Sequence, residues 1–406
     1  VKENTSKIIF HIDMNAFFCS VACILRPELR GIPFAIGREN TTKGVLSTAS
    51  YEARAYGIHS AMPTIEAKRI LPSLTIVHLD YKIYQQYHMK FLSIIREYTN
   101  KLEIASIDEC YCDMTLACKN KHPIVLAKEI QSRILKEHGL PCSIGISYTL
   151  FLAKMASDMK KPLGVTVITK GNIRHMLGPL SVEDIYGIGK RTSPILIHAG
   201  IKTIDDFMNP INKDKVIDLV GINTYQYVRS HVLGLSSDIV DPDRYAKSQS
   251  ISTSQTYDVH KESLSDMLYE LRGMTRSVVA RMKEEKSLCK TVTITLRDSD
   301  FVTITRQTKL DDYSDDFDLI YSVVTDLTEE NVDSEKTYRL LGVGVSGLIE
   351  KDKLPKEYNL FTVDDVMKKE IIIDEMIQDF QKKYGKTALF RKKEKQGWFI
   401  EWKNIK

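Results

Sequence analysis

The sequence is poor in the residues that mark several protein classes. It has 7 Cys and 2 Trp in 406 residues, with no Cys-x-x-Cys pair and no long uninterrupted apolar run. Cys19, Cys23, Cys110, Cys112, Cys118, Cys142 and Cys289 are odd in number and irregularly spaced, which fits neither a disulfide framework nor a repeated zinc-ligand pattern. Reduced, mostly buried thiols are expected. The apolar stretches are short and interrupted, so a membrane span is not expected. Lys2, Glu3 and Lys7 precede a strand-like opening, which does not fit a secretory leader, and a cytoplasmic location follows as the expectation. No tandem repeat or low-complexity domain stands out.

What is present describes a folded chain of two to four modules. Hydrophobic residues make up 43% and charged residues 27%, enough for substantial cores under a polar surface and unlike a disordered or collagen-like chain. The net charge of +4 identifies no ligand and hides local contrasts. Asp311 to Glu335 contains ten acidic residues and no basic ones, whereas Phe380 to Lys406 holds nine Lys or Arg and two Glu. The acidic stretch should face solvent or other proteins and the basic tail is suited to approach nucleic acid, while a plain solubility role serves equally well for either segment taken alone.

Periodicity gives an order of elements. Ile8–Ile12 reads as a strand that delivers Asp13 and two aromatics to the start of a helix ending near Leu25. Short strands at Pro33–Ile36 and Val45–Thr48, and helices at Tyr51–Ala55 and Met62–Ile70, suggest a small inserted domain from residue 19 to about 80. A helix at Tyr81–Tyr98 leads to a strand at Leu102–Ile107 that ends in a second acidic feature. Helix, strand and helix follow at Val125–His138, Cys142–Ser147 and Phe151–Met159, favouring an α/β catalytic core. A small helical domain begins near Leu177, with helices at Thr203–Phe207 and Asn223–Leu233. The polar span Asp238–Ser254 reads as a hinge-like linker. Beyond it come helices at Leu264–Lys283 and Asp316–Leu327 and strands at Thr291–Leu296, Phe301–Thr305 and Arg339–Val345. Another helix is expected at Met376–Tyr384.

Chemistry concentrates in three carboxylates, Asp13, Asp108 and Glu109, which the fold must bring together. Hard oxygen ligands of this kind hold Mg²⁺, which orients phosphate oxygens, favours an attacking hydroxylate and stabilises a leaving oxygen. Phosphoryl or nucleotidyl transfer is the matching reaction class. Alone, an Asp at a strand end or an Asp-Glu pair in a turn serves equally well as a solvated surface. Tyr51-Glu52-Ala53-Arg54 and Asp158-Met159-Lys160-Lys161 add groups able to contact a triphosphate.

Five segments in order carry a more specific signal: HIDMNAFFCSV at 11 to 21, VLSTASYEARAYGI at 45 to 58, SIDECYCDMT at 106 to 115, GIS at 145 to 147 and LAKMASDMKKPLG at 152 to 164. Together they resemble the Y-family translesion DNA polymerases, especially the bacterial DinB and UmuC-like branches. The resemblance covers roughly residues 7 to 350, with further similarity in the tail. It implies an α+β multidomain, right-hand polymerase architecture: palm (1–18 and 81–168), small fingers (19–80), helix-hairpin-helix thumb (169–237), linker (238–246), little finger (247–350) and accessory tail (351–406).

The resemblance implies that Asp13, Asp108 and Glu109, with the carbonyl of Met14, hold two Mg²⁺ ions, for which Mn²⁺ can substitute. Phe18 becomes the steric gate against a ribose 2′-OH, with Phe17 supporting the pocket, and Tyr51, Arg54 and Lys161 contact the triphosphate. Two departures stand out: Asn15 where the family commonly has an acid, and Ala22 where it often has Glu. Cys110 and Cys112 alternate along a strand, which favours packing over zinc. Gly187, Gly189 and Lys190 resemble a hairpin whose backbone N–H groups meet DNA phosphates. The little finger, beginning KSQSISTSQTY and ending near RLLGVGVSGL, would grip DNA beside the palm.

Leu360 and Phe361 resemble the hydrophobic end of a bacterial sliding-clamp-binding peptide, without its leading Gln. LFRKK, at Leu389–Lys393, resembles the tails of UmuC-like proteins. The implied substrates are primer-template DNA and dNTPs, and the expected enzyme extends a primer without proofreading as a monomeric catalytic core, cytoplasmic and nucleoid-associated. A metal-dependent nuclease and a catalytically inactive DNA-binding scaffold are the competing readings.

Overall fold

A computed structural model describes residues 7–38 and 44–354, together with the backbone of two strands at 389–394 and 397–402. The first part of the chain forms β1 (Ile9–Met14), α1 (Phe17–Leu25), β2 (Phe34–Ile36), β3 (Thr48–Ala49), α2 (Tyr51–Arg54), α3 (Thr64–Ile70), β4 (Thr75–Val77) and α4 (Tyr81–Arg96). It continues through β5 (Leu102–Ile104), β6 (Glu109–Asp113), α5 (Pro123–His138), β7 (Cys142–Ser147), α6 (Leu150–Asp158) and β8 (Val165–Val167).

Five of these strands form a sheet in the order β5-β6-β1-β7-β8, with β1 at its centre. Every residue of β1 is buried, as expected for a strand covered on both faces. The period of two then sorts the side chains. Phe10, Ile12 and Met14 join Cys110, Cys112, Ile144 and Ile146 in the core under α4 and α5. Ile9 packs on the other face with Tyr111, Leu150, Ala153 and Val240. His11 and Asp13 share that second face by alternation, so the catalytic candidates point toward α6.

Gly145 decides how close α6 comes. A Cβ there would lie 2.0 Å from the Ala153 carbonyl oxygen and 2.4 Å from the Ser157 nitrogen, so no larger residue fits without moving the helix. The smaller sheet, β3-β2-β4, has its own core of Ala35, Leu46, Ala49, Ile58 and Ile76.

Five helices follow: α7 (Ile173–Leu177), α8 (Ser193–His198), α9 (Ile204–Met208), α10 (Lys213–Val220) and α11 (Ile222–Val232). Their core includes Phe151, Leu152, Met155 and Ala156, so α6 serves two cores at once. The segment after α11 is irregular but anchored: the Asp241 N–H donates to Glu103 Oε2 at 2.8 Å, and Arg244 Nε lies 2.6 Å from Glu103 Oε1.

The last fully described module contains β9 (Ser250–Lys261), α12 (Leu264–Glu284), β10 (Ser287–Asp298), β11 (Thr303–Ser314), α13 (Phe317–Asn331), β12 (Tyr338–Ser346) and β13 (Ile349–Glu350). Its antiparallel sheet runs β11-β10-β12-β9, with α12 and α13 packed on the apolar core of one face. The start of β9 corrects the expectation of a linker reaching Ser254: alternating Ser and Thr on a half-exposed edge strand read as polar coil. The acidic stretch covers the end of β11 and the outer face of α13, and all ten acids but Asp315 are exposed. The tail strands β14 (Leu389–Glu394) and β15 (Gly397–Trp402) pair with each other. The helix expected at Met376–Tyr384 lies outside the described residues.

Candidate active site

Asp13 is the last residue but one of β1 and Glu109 opens β6, and the antiparallel register sets these two residues directly opposite each other. The second acidic feature therefore begins a strand, whereas the sequence pattern places it at the end of one. The chain reverses between Ile104 and Glu109, and only after that turn does pairing with β1 begin. Asp108 sits in the turn, where its carbonyl accepts the Met14 N–H at 2.9 Å. Its carboxylate accepts a hydrogen bond from Ser106 Oγ at 2.5 Å.

Two lysines meet these acids. Lys154 Nζ lies 2.5 Å from Glu109 Oε1 and 3.3 Å from Asp13 Oδ2, while Lys161 Nζ lies 2.7 Å from both Asp13 Oδ2 and Asp158 Oδ1. His11, fully buried, places Nδ1 2.8 Å from Ser157 Oγ and Nε2 3.6 Å from Glu109 Oε2. Burial pushes the Asp13 carboxyl up to about 7, the facing Glu109 adds to the rise, and Lys161 opposes it. Glu109 moves down: burial works against this, but contacts with His11, Asp13 and Lys154 outweigh it. Lys154 is held above the usual lysine range, its burial outweighed by Glu109, Asp158 and Asp13.

Lys154, Asp158 and His11 lie within the quoted sequence segments, and local pattern alone singles out none of the three. One signal was available: Lys154 is a charged residue inside the otherwise uncharged run Leu150–Ser157.

A cleft of about 220 Å³ collects the remaining candidates, lined by Asp13, Met14, Phe17, Phe18, Tyr51, Arg54, Asp108, Glu109 and Lys161. Ala16, with φ 42°, makes the sharp exit from β1 that brings Phe17 and Phe18 beside the acids. Ser50 caps α2, its side chain accepting the Ala53 N–H. From there Arg54 donates to the Ala49 carbonyl at 3.0 Å and Thr48 Oγ1 at 3.2 Å, and its guanidinium lies 4.9 Å from the Tyr51 ring centre. That leaves part of a planar fork for an oxyanion.

Both departures have structural settings. Asn15 is buried, donates to Ser143 Oγ at 2.9 Å and accepts the Leu163 N–H at 2.8 Å, which ties β1 and β7 to the turn carrying Lys161. Ala22 is fully buried against Cys19, Leu29, Phe34, Ile36 and Val77. Cys110 and Cys112 are buried in the main core with their sulfurs 3.9 Å apart.

Gly187, Gly189 and Lys190 occupy an exposed turn outside the cleft, anchored by the buried Ile185 and Ile188. Leu360 and Phe361 lie outside the described residues. Among the described residues no group of three or more His, Cys, Asp or Glu forms a ready metal cage, and no helix is long and apolar enough to cross a membrane.

Residues 12–158 match the impB/mucB/samB family, and residues 248–357 match the C-terminal domain of that family. DNA polymerase IV of Oceanobacillus iheyensis is 37% identical over 97% of this chain and 93% of its own. DNA polymerase IV 1 of Bacillus subtilis is 38% identical over 95% and 92%. The chain belongs to the Y-family DNA polymerases.

Solved structures agree on the fold. A Y-family Dbh-Dpo4-Dbh chimera, 25% identical, covers 85% of the chain and 100% of its own with a TM-score of 0.76. DinB from Sulfolobus solfataricus reaches 0.57 at the same identity and coverage. The architecture of palm, fingers, thumb and little finger is that of a Y-family polymerase, and the activity is template-directed translesion DNA synthesis. Catalysis in this family is metal-dependent.

Proposed function

We propose that Asp13, Asp108 and Glu109, with the Met14 carbonyl, hold two Mg²⁺ ions with which this polymerase adds dNMPs to a primer 3′ end and releases pyrophosphate. The observation that carries this reading is the Asp13–Glu109 pairing at one end of a cleft that also holds Phe18, Tyr51, Arg54 and Lys161. Hard carboxylate oxygens converge there on two ammonium groups, Lys154 between Asp13 and Glu109 and Lys161 on Asp13, so the donor set suits a hard divalent cation. When bound, such ions favour the attacking hydroxylate and neutralise charge on the phosphates.

The protein's own groups position the substrates. Arg54 and Lys161 compensate the triphosphate charge, and Tyr51 packs under the Arg54 fork. Phe18 closes the sugar side of the cleft and excludes a 2′-hydroxyl, backed by Phe17 at 5.6 Å between ring centroids. The Gly187–Lys190 turn meets duplex phosphates without reading sequence. On the little finger, the sheet face away from the helices carries Ser250, Ser252, Ser254, Thr293, Thr295 and two glycines along a groove of about 290 Å³, a surface suited to a phosphate backbone. Leu360 and Phe361 are proposed to engage a bacterial sliding clamp, and the core is proposed to act as a monomer in the nucleoid.

Primer extension with each dNTP and Mg²⁺ on undamaged and damaged templates is the test. Template-matched lengthening supports the assignment. Shortening without extension would establish a nuclease, and duplex binding without incorporation in Mg²⁺ or Mn²⁺ would establish a scaffold.

A further inference from the structure

Helix α6 buries every residue from Leu150 to Ser157, and Lys154 is the charged one among them. Burying a lysine is costly unless its ammonium is fully paired. The side chain of Lys154 is 11% exposed, and Nζ has three carboxylate neighbours: Glu109 at 2.5 Å, Asp13 at 3.3 Å and Asp158 at 3.4 Å. An ammonium has three donors, so this set satisfies it.

The three acids differ in setting. Asp13 and Glu109 face each other across β1 and β6 and would repel if left alone. Asp158 lies one helical turn beyond Lys154, is 48% exposed, and already pairs with Lys161. Lys154 Nζ already reaches Asp158 at 3.4 Å, so it keeps a carboxylate partner if Asp13 and Glu109 are taken by another cation. Lysine suits such an exchange because its charge is compact and sits on a flexible stem. Lys161, the proposed nucleotide contact, also pairs with Asp13 at 2.7 Å, from the turn clamped by Asn15.

We propose that Lys154 is a positioning residue that serves as a resident counter-cation: it holds Asp13 and Glu109 together in the ion-free enzyme and passes to Asp158 when divalent ions take those carboxylates. The proposal rests on the reading of Asp13, Asp108 and Glu109 as ion ligands. It makes ion binding an exchange of one cation for another. The acids stay organised between catalytic cycles, and divalent ions bind more weakly than an empty set of carboxylates would bind them.

The test uses the full chain with Lys154→Met, which keeps length and removes charge, and Asp158→Asn, which removes the second resting place. Mn²⁺ binding is followed by the electron paramagnetic resonance of the free ion, and melting is recorded in EDTA and in Mg²⁺. K154M is expected to melt below wild type in EDTA, to gain more from Mg²⁺ than wild type does, and to bind Mn²⁺ about three- to tenfold more tightly. D158N is expected to bind Mn²⁺ more weakly than wild type. Equal or weaker Mn²⁺ binding by K154M, with an unchanged Mg²⁺ effect on melting, overturns the proposal and makes Lys154 a fixed structural partner. If K154M does not fold, unchanged Mn²⁺ affinity in D158N overturns it instead. Wild type that binds no Mn²⁺ would defeat the ion-ligand reading itself, a separate result from a wild type that binds and a K154M that binds no better.

Discussion

The ring of Phe18 meets that of Tyr84 edge-on, with centroids 4.4 Å apart and planes at 73°. Tyr84 comes from α4 and is buried, so the proposed gate is braced from a second helix as well as by Phe17 on its own. Phe18→Ala is expected to raise ribonucleotide insertion relative to deoxyribonucleotide by about 10²-fold, the range within which a pocket wall rejects an added hydroxyl. Tyr84→Leu should give a smaller rise, because the ring loses its brace but remains. Single-nucleotide kinetics with matched rNTP and dNTP pairs check both. Unchanged sugar selection in F18A would make Phe18 a packing residue.

Asp108 separates catalysis from stability. Its carboxylate is half-buried in a turn and held by Ser106, so Asp108→Ala should alter stability by only about 1 kcal/mol. As a proposed ion ligand, its loss is expected to remove several kcal/mol of charge stabilisation and so lower kcat by at least about 10³-fold. Primer extension paired with a melting curve checks the contrast. An active D108A protein would remove this residue from the ion site.

Much of the candidate site is legible because its parts are local and typed: strand, acid and paired aromatics at Asp13–Phe18, a Tyr-x-x-Arg helix start, and an Asp-Glu pair beside a strand. What escaped depends on pairing across the sheet. The Asp13–Glu109 register sets which end of β6 carries the acids, and no local pattern encodes it. Lys154 was missed for the same reason: its partners are Asp13, 141 residues earlier, and Glu109, 45 residues earlier. In β9, a polar edge strand lacks the apolar alternation that would separate it from a linker.

Gly145 gives a prediction about this cross-sheet geometry. Gly145→Ala puts a methyl 2.0 Å from the Ala153 carbonyl oxygen, and backbone on both sides leaves no flexible side chain to yield. Helix α6 must move outward, taking Lys154 with it. Overpacking of this kind costs about 1–3 kcal/mol, and activity should fall further than the stability loss explains. Melting and primer extension on the same preparation test this. Full activity at a reduced melting temperature would show that the placement of α6 tolerates the shift.

The Glu103–Arg244 pair decides whether the segment before the little finger is a free hinge. The Glu103 side chain is 4% exposed and accepts from the Asp241 N–H as well as from Arg244, whose own side chain is 35% exposed. The two ends of the pair should therefore respond unequally. Glu103→Ala releases an arginine that water can solvate, whereas Arg244→Ala leaves a buried carboxylate with one N–H, a loss of up to about 3 kcal/mol when a buried pair is broken from that side. Val240, packed on Ile9, Tyr111, Leu150 and Ala153, should keep the segment partly docked in either variant. Limited trypsin digestion at Lys247 reports the local opening, and R244A should be cut faster than E103A, with the double variant close to E103A. Equal rates in all three and in wild type would mean that apolar contact alone holds the segment, and the charge pair would then have no part in fixing the little finger to the palm.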